Sequence, residues 1–219
     1  VKPYFEADGI AIYHGDCAVI APTLGRFDLL CGDPPYGIGE ARGKNRKRGN
    51  RAAPRDYGSA EWDDAPPSGE LLTSLRGLAT WQCLFGGNYF ALPPSPCWLV
   101  WDKTGRSSTD MADCELAWTN YTGAVRLKRH LWSGYWQQDM AHKEERVHPT
   151  QKPLAVMSWA IGLCPETPTS VLDPFMGSGT TLRACKDLGI CAVGIEREER
   201  YCEIAARRIG QGVLALGDG

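Results

Sequence analysis

The chain has 219 residues, 43% hydrophobic and 23% charged, which suits one globular domain with its own core and excludes wholesale disorder. Its net charge of −2, taken as an average, argues against a polyanionic partner. Nine cysteines without a Cys-x-x-Cys pair, and four histidines without a His-Glu-x-x-His step, argue against a disulfide framework and give no metal site. The cysteines read as small buried hydrophobes of a reducing compartment.

Residues 1–8 carry Lys2, Glu6 and Asp8 and have no apolar signal-peptide core. No stretch approaches the roughly 20 apolar residues of a membrane helix. No membrane partner is therefore expected, and the default location is the cytoplasm of a bacterial or phage-infected cell. Ile10 to Gly15 reads as a strand ending at Asp16-Cys17, and Phe27 to Gly32 as another ending at Asp33-Pro34-Pro35-Tyr36. Each proline locks its own φ, restricts the residue before it and removes a backbone donor. The turn therefore presents acceptors, the Asp33 carboxylate and nearby carbonyls, beside the flat ring of Tyr36. That arrangement suits an exocyclic amine on a stacked base. Acceptors that hold its N–H hydrogens turn the nitrogen lone pair toward an electrophile.

Residues 41–55 hold Arg42, Lys44, Arg46, Lys47, Arg48, Arg51 and Arg55 and no acid. By composition they form a solvated loop. Their place directly after the acidic turn also suits closure on phosphates around an extruded base. Those residues carry +7 against −2 overall, so the remainder carries −9 and the neutral total hides a basic loop beside an acidic body. Cys97 to Trp101 and Cys114 to Thr119 read as strands, with Trp81, Trp98, Trp101 and Trp118 in core-like runs. Residues 126–136 interleave Arg126, Lys128, Arg129 and His130 with Trp132, Tyr135 and Trp136. Two readings stay open there: a grip on a nucleic-acid backbone, or an outward strand with core tryptophans.

Ser170 to Leu172 reads as a buried strand running into Asp173-Pro-Phe-Met-Gly-Ser-Gly-Thr-Thr181. A helix over 182–188 stopped by Gly189 follows, then a strand over Ile190 to Ile195 ending at Glu196. Glu198 to Ile209 has helical spacing, with Tyr201, Ile204, Ala205 and Ile209 on one face. A glycine turn lets backbone approach a ligand, and an acid after the next strand accepts from ribose hydroxyls. The turn lacks the Gly-Lys-[Ser/Thr] ending of a phosphate loop. Asp16, Asp33, Asp173 and Glu196 would thus line the carboxyl edge of one open α/β sheet, a row of acceptors for hydrogen-bond donors.

With these motifs in place, the sequence resembles the amino-group DNA methyltransferases that use S-adenosylmethionine. Asp33-Pro-Pro-Tyr36 matches their catalytic motif and residues 173–181 their cofactor motif. The order, catalytic before cofactor, resembles the permuted β-type subgroup, as does His148-Pro-Thr-Gln-Lys-Pro153. The resemblance implies an α/β, Rossmann-like S-adenosylmethionine-dependent methyltransferase sheet. It would be mostly parallel, with helices on both faces and a circularly permuted motif order. A single domain over 1–219 is expected, with small DNA-recognition insertions at approximately 37–67 and 120–147. By resemblance, Asp33, Pro34, Pro35 and Tyr36 hold the base. Asp16, Cys17, Asp173, Phe175, Gly177, Ser178, Gly179, Thr180 and Glu196 face the cofactor. Thr150, Gln151 and Lys152 close over its methionine end, with Lys152 neutralising the carboxylate or else standing as a solvent-facing helix-start charge.

The implied reaction is methyl transfer from S-adenosyl-L-methionine to the N6 amine of adenine in double-stranded DNA, leaving S-adenosyl-L-homocysteine, with no metal. N4 of cytosine is the alternative, and a second copy of the chain stays open as a partner. An RNA amine is a weaker variant. A dinucleotide oxidoreductase leaves Asp33-Pro-Pro-Tyr36 unexplained, and a catalytically silent DNA-binding protein leaves both intact motifs unexplained.

Overall fold

Nine strands share one sheet in the order β1-β2-β11-β10-β3-β4-β6-β5-β7 in the computed structural model, which describes residues 1–38, 65–103, 112–133, 136–148 and 150–210. In chain order the strands are β1 (Phe5–Ala7), β2 (Ile10–His14), β3 (Phe27–Gly32), β4 (Ala79–Phe85), β5 (Trp98–Asp102), β6 (Cys114–Thr119) and β7 (Arg126–Arg129). A separate hairpin of β8 (Trp132–Ser133) and β9 (Trp136–Gln137) follows, then β10 (Ser170–Asp173) and β11 (Cys191–Glu196). Only β1 and β6 run against the rest of the main sheet.

Short continuous apolar runs form the middle strands because both faces are covered. On one face, α3 (Leu154–Gly162), α4 (Thr180–Asp187) and α5 (Glu199–Gly210) pack Met157, Ile161, Leu182 and Ala205 against Ile12, Leu29, Val171 and Phe85. On the other, α1 (Cys17–Ile20) and α2 (Gly69–Arg76) set Ile20 and Leu75 against Leu30, Leu84, Leu172 and Ile195. Alternate residues of one strand serve opposite faces, as Val171 and Leu172 do. This is the α/β architecture expected, with helices on both faces.

Two elements lacked a clear sequence signal. Helix α2 is short and capped by Ser68 Oγ, which accepts from Leu71 N at 3.1 Å. Strand β4 is buried over its second half and shows no alternation. Within the segment expected as a recognition insertion at 120–147, β7 proves to be the edge strand of the main sheet. Residues 39–64, most of the other expected insertion, lie outside the described residues. All nine cysteines are free, and six are buried, while Cys191 at the start of β11 is exposed.

Parallel pairing fixes where the strands end. Asp173 of β10 lies beside Gly194 of β11, and Glu196 beside His14 of β2. Asp16, Asp33, Asp173 and Glu196 therefore reach one edge, as the spacing predicts. Helix α4 approaches α5 closely because Gly179 precedes it at φ +79°, and a Cβ there would lie 2.8 Å from Ala205 Cβ. Gly179→Ala combines a left-handed strain with this clash. It is expected to cost about 2 kcal/mol, read as a lowered urea midpoint with an unchanged m-value.

Candidate active site

Asp33 leaves the end of β3 and its two prolines hold it in place. Its Oδ1 accepts from Tyr36 Oη at 2.6 Å, and its Oδ2 accepts from Lys152 Nζ at 2.5 Å. Lys152 arrives from the segment before α3, 119 residues away in sequence, and its side chain is 7% exposed. The ammonium also lies 3.0 Å from Glu115 Oε2 on β6 and donates to Tyr36 Oη at 3.3 Å. The ammonium thus donates to Asp33 and Tyr36 and makes an ion pair with Glu115. Glu115 Oε1 in turn meets Lys103 Nζ at 2.5 Å.

Burial pushes the Asp33 carboxyl upward, and Glu115 adds to this, against the pull of Lys152. Burial works against the Lys152 charge, yet Asp33 and Glu115 outweigh it and hold the ammonium up at about 12. Glu115 resists burial in the same way: Lys152 and Lys103 keep its carboxyl below the usual range. A solvent-facing Lys152 is therefore overturned. Its charge is already spent on two protein carboxylates, rather than being held ready for a ligand carboxylate.

The Gly-rich turn forms the second half of the site. Asp173 Oδ1 accepts from Phe175 N at 3.0 Å, and Gly177, at φ +50°, donates its N–H to Glu196 Oε2 at 3.0 Å. Glu198 N donates to Glu196 Oε1 at 2.8 Å. Each Glu196 oxygen so keeps acceptor capacity while its direction is fixed. Arg208 of α5 ties the turn down, its Nη1 donating to Ser178 O at 2.6 Å and Ser178 Oγ at 3.0 Å. Burial raises the Glu196 carboxyl, and raises Asp173 to about 7.

His148 lies over this turn, edge-on to Tyr201 with ring centroids 4.4 Å apart. Burial holds it near 3, so it is neutral. Its Nδ1 accepts from Thr150 N at 3.3 Å, which assigns the proton to Nε2. Gln151 fastens the same segment from within, accepting from Val147 N at 2.9 Å and donating to Glu145 O at 3.0 Å.

The two halves share one cavity of about 320 Å³, in the range of small-molecule sites. Asp16, Asp33, Asp173 and Glu196 all line it, with Cys17, Pro35, Thr150, Gln151 and Lys152. Phe175, Gly177, Ser178 and Thr180 complete the turn's contribution. Pro34, Tyr36 and Gly179 do not line it, and Gly179 serves helix packing instead. The ring of Tyr36 is not a bare platform, because it stacks on Tyr89 with centroids 4.8 Å apart at 13°.

The basic residues divide. Arg126, Lys128 and Arg129 lie on edge strand β7, where Arg129 pairs with Asp102 at 3.1 Å and Lys128 sits 6.0 Å over the Trp159 ring. Trp132 is buried and Trp136 is 59% exposed, so that segment is both core and surface. Arg42, Lys44, Arg46, Lys47, Arg48, Arg51 and Arg55 lie outside the described residues. The residues flanking them meet: a Cβ on Gly37 would lie 2.5 Å from Pro66 Cδ, and Ala65 and Pro66 line the cavity. Sequence reasoning missed Glu115, Lys103 and Arg208. A lone acid within the apolar run of β6 was the available signal for Glu115. The Pro96-Cys97 step, which could suggest a nucleophile, is core: Cys97 is buried and its thiol donates to Ala124 O at 3.3 Å.

A mostly parallel sheet with an acidic carboxyl edge, a Gly turn and a Pro-Pro turn around one cavity defines the class of Rossmann-like methyltransferases. Residues 100–207 match the N6/N4 methyltransferase family, described as DNA methylase. The Type II methyltransferase M.ScaI of Streptomyces caespitosus is 26% identical, over 95% of this chain and 84% of the relative. The Type II methyltransferase M2.MboI of Moraxella bovis is 25% identical, over 95% and 91%. Among solved structures, the M1.HpyAVI-SAM complex superposes with a TM-score of 0.57 at 23% identity, covering 92% of this chain and 100% of that one. The PvuII DNA methyltransferase (cytosine-N4-specific) does so with 0.62 at 14%, covering 98% and 91%. The chain is thus similar, in sequence and in fold, to amino-group DNA methyltransferases.

Among the described residues no group of side chains suits a metal ion, and no helix is long and apolar enough to cross a membrane. The buried Asp173 yields a pH test. Its folded value near 7 exceeds the ordinary 3.8, so between those limits the folded chain binds more protons than the unfolded one. Stability then falls as pH rises through that window. Asp173→Asn removes the cost, so its thermal midpoint should exceed the parent's by about 3–6 °C at pH 8 and match it at pH 4.

Proposed function

We propose that this protein methylates the N6 amine of adenine in double-stranded DNA, at specific sites, with S-adenosyl-L-methionine as donor. The observation that carries the reading is that Asp33 opens onto the same cavity as Asp173, Gly177 and Glu196. The donor set of that cavity fits the cofactor. S-adenosylmethionine carries ribose hydroxyls, an ammonium, a sulfonium and one carboxylate; four protein carboxylates line the space, together with Arg197 and a Lys152 that is paired with protein acids. Glu196 takes the ribose hydroxyls on its remaining lone pairs. Asp173 and the 175–180 turn hold the methionine part, Asp16 and Cys17 sit at the adenine end, and Thr150 and Gln151 border the site. When bound, the cofactor supplies an electrophilic methyl group.

The chain's own residues prepare the amine. Asp33 accepts one N–H and a carbonyl of its turn accepts the other, which directs the lone pair out of ring conjugation. Pro34 and Pro35 keep that acceptor still. The displacement is direct and in line, with no covalent enzyme intermediate. The nitrogen loses its proton after gaining the fourth substituent, when it has become strongly acidic. Tyr36 supplies the ring for the base, exchanging its contact with Tyr89.

DNA is held by residues 41–55, whose flanks meet at the cavity, with Arg126, Lys128 and Arg129 of β7 further along the same edge. The alignment with M.ScaI runs over 271 positions against 219 residues here, so that relative carries insertions this chain lacks. Recognition through the segments that remain implies a short or relaxed target.

Expression in a methylation-free host, followed by digestion of the DNA and mass spectrometry, tests the reading. N6-methyladenine should accumulate with the parent chain and vanish with Asp33→Ala, while cofactor binding by calorimetry stays within about threefold. N4-methylcytosine alone would move the target to cytosine. No modified amine from a folded, DNA-binding chain would leave a silent binder. Replacing the seven basic residues of 41–55 with Gln should weaken DNA binding and flatten the slope of log K against log salt, with cofactor affinity unchanged.

A further inference from the structure

Behind the Pro-Pro turn a line of charges, buried at Lys152 and partly buried elsewhere, continues beyond the motifs. From the cavity outward they run Asp33, Lys152, Glu115 and Lys103, alternating in sign, with contacts of 2.5, 3.0 and 2.5 Å. Glu115 stands on β6, where its neighbours Leu116, Ala117 and Trp118 make an apolar strand, and 20% of its side chain is exposed. An apolar residue would pack as well and avoid the desolvation cost of a buried charge. Glu115 does not line the cavity. The position therefore asks what the carboxylate does for Lys152.

An acceptor for an amine must be ionised but not sealed. A buried lysine facing Asp33 alone would commit its whole charge to that carboxylate and weaken it as an acceptor for anything else. Glu115, an ion pair at 3.0 Å beside the 2.5 Å hydrogen bond to Asp33, draws part of the ammonium's charge to a second carboxylate. Lys103 holds the far oxygen of Glu115 and fixes the direction of the near one. We infer that Glu115 is a positioning residue for amine methylation, sharing the Lys152 ammonium so that Asp33 stays available to the target amine. The inference rests on the reading of the function given above.

The charged and titratable groups facing Asp33 are Tyr36 from its own turn, Lys152 from the segment before α3, Glu115 from β6 and Asp173 from β10. Removing the negative charge of Glu115 leaves Asp33 opposite an undivided positive one, so Asp33 ionises at lower pH. Removing Lys103 does the reverse, because a positive charge behind Glu115 is lost.

Steady-state methylation of DNA across pH tests this with purified full-length protein. Glu115→Gln should lower kcat by about 10- to 100-fold, with the KM for DNA within about twofold, and move the acid limb of the kcat profile to lower pH. Glu115→Asp should recover part of kcat. Lys103→Met should move the acid limb the other way. Thermal midpoint and calorimetric binding of S-adenosylmethionine report whether each variant is folded. If Glu115→Gln fails to fold, the opposite shift in Lys103→Met carries the test. Parent-like kcat and pH profile in folded Glu115→Gln, or a fall in kcat with no shift of the limb, overturns the inference alone. A parent chain that methylates no amine overturns the underlying reading as well.

Discussion

One ammonium ties three separate elements together at this site. Lys152 comes from the segment that opens α3, and it meets Asp33 of the Pro-Pro turn and Glu115 of β6. One buried and two partly buried charges would be costly singly, and this geometry offsets that cost. The segment over 144–153 is built to deliver that ammonium. Glu144 accepts from Leu154 N at 3.0 Å and so caps α3, while Gln151 laces the preceding backbone. The Pro-Pro turn and the segment over 150–153 are therefore not independent: moving one moves the charge that the other depends on.

The cofactor half obeys a different constraint. Asp173 is a buried carboxylate and Glu196 a partly buried one, and their partners are chiefly backbone N–H groups and hydroxyls, not cations. Acceptors predominate in such a site, although Arg197 also lines the cavity. A ligand with hydroxyls and cationic groups relieves it, and an anionic one does not. Arg208 serves the glycine turn by binding Ser178 O and leaves the acids uncompensated. The Pro-Pro turn and the glycine turn thus differ in kind: the acid of the first is paired with an ammonium, those of the second chiefly with backbone N–H groups.

Much of this was legible in the chain. Strands buried on both faces leave short apolar runs, and the acid that ends each run marks the sheet's carboxyl edge. Glycine and proline punctuate the turns at residues 33–36 and 177–179. What escaped reading is long-range. The spacing around Lys152 says nothing of a carboxylate 119 residues away. Glu115 in an apolar strand looks like an outward-facing residue until β6 is placed between β4 and β5. Gly179 resembles its neighbour Gly177 in sequence, yet one faces α5 and the other the cavity. Tyr36 carries its ring as expected, but no local pattern announces Tyr89 against it. The outward strand held open over 126–136 is there as β7, but its place at the sheet edge beside β5 had no local signal.

The strand order has a consequence for how the chain comes into being. Strands β10 and β11 occupy the middle of the sheet, between β2 and β3, although they are the last strands in the sequence. As the chain emerges from a ribosome, the hairpin of β1 and β2 and the block containing β3 to β7 can each form. A two-strand gap separates them, with apolar edges on both sides, until about residue 196 has been made. Closing that gap needs contacts of high sequence separation, which are slow to form. The nascent chain is thus a pair of unfinished sheet edges for most of its synthesis, and the piece that heals them is the piece that carries the cofactor turn.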